Sequence, residues 1–177
     1  MKAKLYQIKQ GDKFIYGNKE AIMLKYKKEG VLCMLLEEIP KCEFDLDNQN
    51  DFSKSTLKEK LNSIYFPYWT MCGANVDDFV EMEVDLTSGM DIDSYGKCNC
   101  YLAPITCEQY RRYRNMIPNS SNWEWTATAY STKLKDFTGA VCCISNIGTL
   151  SYSLAIYDMG VRPLFKLKND TEVEVKL

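Results

Sequence analysis

Residues 157–167 read YDMGVRPLFKL: a glycine, a lone arginine and a proline set in an otherwise apolar run near the end of the chain. Gly160 can supply a backbone conformation that other residues resist, and Pro163 suits an edge strand or bulge where no ladder donor is required. The run therefore reads as a closing strand from which Arg162 emerges buried. An unpaired buried guanidinium is too costly to keep, so Arg162 should meet a carboxylate, with Asp85 or Asp158 as candidate partners. On this reading Arg162 and Gly160 are structural pins rather than a ligand grip, and the search for function moves to the loops that they hold in place.

Strand signals surround the stretch. AVCCISNIGTLSYSLAI (140–156) is two runs around the turn Asn146-Ile147-Gly148, WEWTATAY (123–130) alternates, and TEVEVKL (171–177) closes the chain. The alternation puts Trp123 and Trp125 on one side as core anchors, with Glu124 opposite. In the first third KLYQI is followed by EAIMLKYK and VLCMLLEEI, an antiparallel hairpin across KKEG. In EMEVDL (81–86) Met82, Val84 and Leu86 share one face and the acids the other.

Helical signals occur twice. In SKSTLKEKLNSIYF (53–66) Leu57, Leu61 and Ile64 form a stripe, Thr56 and Glu59 have capping-box spacing, and Pro67 closes the helix. After Pro104 the same spacing recurs at Thr106 and Gln109, and CEQYRRYRN continues without a breaker until Pro118. No repeat, linker or low-complexity tract divides the chain, so residues 1–177 read as a single domain. The two short helices sit among strands instead of alternating with them, which predicts an α+β fold of antiparallel strands framing two helices.

Composition bounds the chemistry. The chain has 177 residues, 46% of them hydrophobic, and a formal net charge of -2. It can bury one sizeable core, and it has no overall positive field to attract nucleic acid or an anionic membrane. No apolar run is long enough to cross a bilayer and MKAKLYQIKQGDKF lacks a signal-peptide core, so the expected location is the cytoplasm, with association to a virion assembled there as a further possibility. Arg111, Arg112 and Arg114 interleave with Tyr110 and Tyr113 in the most nucleic-acid-like patch, but one turn of arginines more often forms a solvated helix face.

Histidine is absent, which removes the commonest general base near neutral pH and the Ser-His-Asp and Cys-His mechanisms with it. Glycine-rich phosphate loops are missing too. Of the eight cysteines, most fall in strand-like apolar runs as small hydrophobes. Cys98, Cys100 and Cys107 come nearest to a metal cluster, but without paired C-x-x-C ligands they read as a loop and helix start, and no metal or cofactor is expected. Asp77, Asp78, Glu81, Glu83 and Asp85 are explained by a half-buried strand rather than by paired catalytic acids. Cys107, at a helix start and close to Arg111, is the one thiol with a case for reactivity.

GDKF, FDLDNQNDFSKSTLKEKLN, VDLTS with the following Tyr95-Gly96, YLAPITCEQYRRY, WEWTAT, VCCISNIGTL and the terminal Gly160-Val161-Arg162-Pro163 occur in an order and spacing that resembles a family of uncharacterised domains. That family is found in phages, prophages and surface proteins of gut Firmicutes. Glu124 and Thr126 depart from it, standing where its pattern is aromatic or aliphatic. The resemblance implies a compact fold similar to C-type-lectin-like domains and the formylglycine-generating-enzyme group, without the lectin calcium motif or that group's catalytic cysteines.

Fold of this kind raises the expectation of a binding module, not of an activity. The expected function is a non-enzymatic interaction protein of phage or mobile-element origin that binds a bacterial host protein, as an intracellular inhibitor of a bacterial defence complex. The alternative is a virion adhesion or decoration module on a surface glycan or protein, and a cysteine- or carboxylate-dependent enzyme comes third. The segment Tyr130–Phe137, with Lys133, Lys135 and Asp136, is the expected contact surface, joined by Arg111 and Arg114. Nucleic acid and membrane are not expected partners, and the oligomeric state is open.

Overall fold

The computed structural model describes residues 1–175, so the last two residues of the expected strand TEVEVKL lie outside the described residues. Residues up to Cys100 supply the strands β1 (Lys2–Lys4), β2 (Lys13–Tyr16), β3 (Lys19–Lys27), β4 (Gly30–Leu35), β5 (Ile39–Glu43), β6 (Phe79–Val80), β7 (Met82–Thr87) and β8 (Ser94–Cys100). The remainder supplies β9 (Glu124–Ala129), β10 (Ala140–Ile144), β11 (Leu150–Leu154), β12 (Asp158–Val161), β13 (Leu164–Leu167) and β14 (Glu172–Val175). They form a seven-stranded sheet in the order β1-β14-β2-β3-β4-β13-β6, a five-stranded sheet in the order β11-β10-β9-β12-β5, and the pair β7-β8. All pairings are antiparallel except a short parallel contact of β12 with β9, where Gly160 faces Glu124. The architecture is α+β and mostly strand.

Local sequence explains most of these elements. VLCMLL becomes β4, wholly buried between β3 and β13, as a continuous apolar run covered on both faces should be. β7 buries Met82, Val84 and Leu86 and exposes Glu83, Asp85 and Thr87, so the acids do line a solvated face. The hairpins β3-β4 and β10-β11 form across the expected turns. Gly148, at φ 81°, supplies the left-handed residue of the second turn.

The first helical segment departs from expectation. It runs through α1 (Thr56–Glu59), a π-helical turn (Lys60–Tyr65) and α2 (Phe66–Met71), so Pro67 lies inside it. Its N-cap is Ser55, which accepts from the Lys58 N–H at 3.1 Å, rather than the Thr56–Glu59 capping box. In the wide turn the Phe66 N–H bonds to Leu61 O, one residue further back than in an α-helix. That shift rotates the buried stripe from Leu57 and Leu61 onto Phe66 and Trp69, and leaves Ile64 65% exposed. Pro67 is tolerated because the widened ladder does not require its missing N–H. α3 (Cys107–Tyr113) follows the sequence reading, with a reciprocal Thr106–Gln109 capping box.

GVRP is the crossing between the two sheets. Gly160 and Val161 belong to β12, Leu164 pairs with Met34 of β4, and Pro163 offers its carbonyl to the Leu35 N–H at 3.0 Å. Gly160 does not adopt the left-handed conformation. It is needed for close approach instead, since a Cβ there would sit 2.5 Å from a Glu38 carboxylate oxygen.

Arg162 is buried as expected, but its partner is Glu124 rather than Asp85 or Asp158. Nε and Nη2 make a two-pronged pair with the carboxylate at 2.6 and 2.7 Å, and Nη1 donates to Pro118 O at 2.8 Å. The β12-β9 contact brings Glu124 to this strand, while Asp85 caps the Thr87 N–H on the separate β7-β8 pair and Asp158 is exposed. Burial pushes the Glu124 carboxyl up against the downward pull of Arg162, so the pair specifies the join more than it stabilises it.

The tryptophan pair splits. Trp125 is a core anchor, donating Nε1–H to Cys42 O at 2.9 Å and meeting Phe44 edge-on at 5.8 Å. Trp123 precedes β9 and is 42% exposed, and its carbonyl accepts from the Gly160 N–H at 2.9 Å. One continuous apolar cluster connects the two sheets and both helical regions, and no helix among the described residues is long and apolar enough to cross a membrane.

Candidate functional site

β11 ends the five-stranded sheet, so one of its edges has no strand neighbour among the described residues. Its sequence, LSYSL, alternates so that Leu150, Tyr152 and Leu154 share one face. Such a pattern ordinarily buries the apolar face. Here the pattern breaks along the strand: Leu150 packs against the core, whereas Tyr152 is 49% and Leu154 40% exposed and the serines between them are half-buried.

Tyr152 joins an aromatic group with Tyr130, just past β9, and Phe137. Ring centroids lie 4.2 Å apart for Tyr130–Tyr152, 5.0 Å for Tyr130–Phe137 and 6.0 Å for Phe137–Tyr152, the separations at which aromatic rings attract beyond simple area burial. Phe137 closes a single 3-10 turn, Lys135–Phe137, and Leu134 before it is 53% exposed. Lys135 and Asp136 stand exposed on that turn, and Lys133 pairs with Asp93 at 3.3 Å. Five of the expected contact residues, Tyr130, Lys133, Lys135, Asp136 and Phe137, therefore share one loop against the β11 edge.

The loop is held from beneath by polar groups. The buried Asn50 donates its amide N–H groups to the carbonyls of Ser131, Phe137 and Ala140 at 2.9, 3.0 and 3.0 Å, and its Oδ1 accepts from Tyr95 OH at 2.7 Å. Ser131 Oγ–H donates to Asp91 at 2.6 Å and accepts from the Lys133 and Leu134 N–H groups. Ser88 also donates to Asp91. These hydroxyl bonds, Ser131 first and then Ser88, hold the Asp91 carboxyl down to about 2. A Cβ on Gly139 would collide with Asn48 at 2.6 Å, so the loop's return leg lies flat on the 45–51 segment.

Arg111 and Arg114 do not join this group. Arg111 lines a cavity at the start of α3, and Arg114 lies over the Tyr110 ring at 5.8 Å, with Nη2 reaching Gly148 O at 3.5 Å. Tyr110 and Tyr113 point into the core, so the arginine turn has no aromatic stacking platform of its own. Cys107 Sγ lies 3.8 Å from Thr126 Oγ1, and no group of three or more metal-ligating side chains is assembled among the described residues.

Sequence reasoning missed Asn50, Asp91 and Tyr152, and took Ser131 only as part of the Tyr130–Phe137 segment. Tyr152 lies in a run that reads only as a strand, and no local pattern marks Asn50 or Asp91 as supports of this loop. No family model, curated protein or solved structure matches this chain.

Proposed function

We propose that this chain is a non-enzymatic interaction module whose Tyr130–Phe137 loop and β11 edge bind a bacterial host protein. The observation that carries the reading is the exposed pair Tyr152 and Leu154 on the last strand of the sheet, beside a loop fixed by Asn50 and Asp91. An apolar patch with unpaired backbone groups suits a protein partner, which can bury the rings and extend the sheet. A rigid loop also loses little entropy on binding.

The scaffold we assign is C-type-lectin-like, supported by the family resemblance and by antiparallel strands with two helical regions and a long loop in the second half. The phage or mobile-element origin rests on the same resemblance, and within it the role is inhibition of a bacterial defence complex in the host cytoplasm. Adhesion to a surface glycan is the second reading, favoured by the exposed ring of Trp123 and opposed by the burial of Trp125, which removes a paired stacking surface.

The test is a pull-down from bacterial host lysate run beside a glycan array. One dominant protein partner, lost with Tyr152→Glu, is the expected result. Strong glycan binding without a protein partner would overturn the inhibitor role and favour adhesion.

A further inference from the structure

A cavity of about 200 Å³ opens on the large sheet beside β13, and none of its lining residues belongs to the Tyr130–Phe137 loop or to β11. Its floor is apolar: Leu32 of β4, Leu164 of β13, and Met82 and Val84 of β7 all line it, and all are buried. β7 belongs to a separate strand pair, so the cavity is a crevice between two sheets that share no ladder. Its volume falls below the roughly 300 Å³ at which pockets for drug-sized ligands begin, so it suits a small molecule.

Charge at the rim is not balanced. Glu83 lines the cavity but pairs with Lys97, which does not, at 2.6 Å, and Glu29 and Lys27 face each other at 3.9 Å. Lys166 also lines it, half-buried, and its ammonium has no hydrogen bond or ion pair among the described residues. The Lys166 stem lies across Gly30, where a Cβ would fall 3.0 Å from Lys166 Cγ and 2.7 Å from Leu167 O. Gln109 adds a second donor at the rim. Its Oε1 is taken by the Thr106 N–H at 2.9 Å, which leaves the side-chain amide nitrogen without a protein acceptor among the described residues. Water screens a half-buried ammonium less than a surface one, so an anion gains more from Lys166 than from an exposed lysine.

We propose that this crevice binds a small monocarboxylate with a short aliphatic chain. The chain covers Leu32, Met82, Val84 and Leu164, and the carboxylate accepts from the Lys166 ammonium and the Gln109 amide. A bare inorganic anion would leave the apolar floor uncovered, and a phosphate would bring more acceptor oxygens than these donors satisfy. A neutral alcohol would fill the floor and leave Lys166 without a counter-ion. The site stands apart from the docking face proposed above, and neither reading depends on the other.

The probe is sodium hexanoate, titrated at neutral pH into the full chain and followed by methyl NMR. Saturable shifts are expected at Leu32, Met82, Val84 and Leu164, with the methyls of Leu154 on the docking face unmoved. Hexanol, which has the chain without the charge, and acetate, which has the charge without the chain, should each bind at least about tenfold more weakly. Lys166→Met keeps a stem over Gly30 and removes the ammonium, so it should weaken hexanoate by about tenfold and leave hexanol as it was. Failure to saturate at the floor methyls, saturation at Leu154 instead, equal binding of hexanol and hexanoate, or unchanged hexanoate binding in Lys166→Met would each overturn the proposal. The comparison of hexanoate with hexanol on the unaltered protein decides it even where the variant fails to fold.

Discussion

Arg162 and Glu124 are both about 3% exposed in their side chains, so removing either strands a charge where water cannot reach it. Arg162→Ala should destabilise the fold by about 3–5 kcal/mol in urea denaturation, whereas Arg162→Met with Glu124→Leu should recover most of that loss. An unchanged midpoint in the single variant would show that the pair is not buried in solution. That Arg162 had to be buried and paired was legible in YDMGVRPLFKL. Its partner was not, because Glu124 is brought close by a pairing 38 residues apart in sequence that no local pattern encodes. Asp91 sets the pH response of the loop. Its carboxyl is held down to about 2, below the ordinary 3.8, so its contribution is complete above about pH 4 and lost as pH falls toward 2. Amide protection of Lys133 and Leu134 should therefore drop across that window before the amides of the central strand β4 do. Equal loss at both places would contradict the latch.

At the scale of elements, the π turn shows where pattern reading gave out. Leu57, Leu61 and Ile64 fit an α-helical stripe, and nothing in their spacing reveals that the ladder widens after Leu61. The one local hint was Pro67, which reads as a stop in a regular helix and becomes an interior residue when a wide turn precedes it. The two phases make opposite predictions in urea denaturation. Ile64→Lys should shift stability by less than about 0.5 kcal/mol, as exposed substitutions do, and Phe66→Ala should cost about 3–5 kcal/mol. A regular helix would penalise the first and spare the second. Strands were legible wherever pattern and burial agree, as in the continuous apolar run of β4 and the alternation of β7. β11 was legible as a strand, but the exposure of Tyr152 and Leu154 was not, because alternation alone does not reveal that a strand stands last in its sheet.

For the whole molecule, the two sheets and the GVRP crossing form a platform, and Asn50 and Asp91 fix one loop on it. The loop Tyr130–Phe137 could be picked out in sequence as a contact surface because it lies between two strands. Tyr152 could not, since it reaches that loop only after β10 and β11 fold back. Arg111 and Arg114, expected to join the loop, belong to the α3 region instead. The central claim is that a host protein docks on the loop and the β11 edge. A photo-crosslinking residue placed at Leu134 or Tyr152, and for comparison at Tyr26, which is 51% exposed on the other sheet, tests it most directly in lysate. The account predicts one protein adduct from positions 134 and 152 and none from position 26; an adduct from position 26 with none from the other two would contradict it.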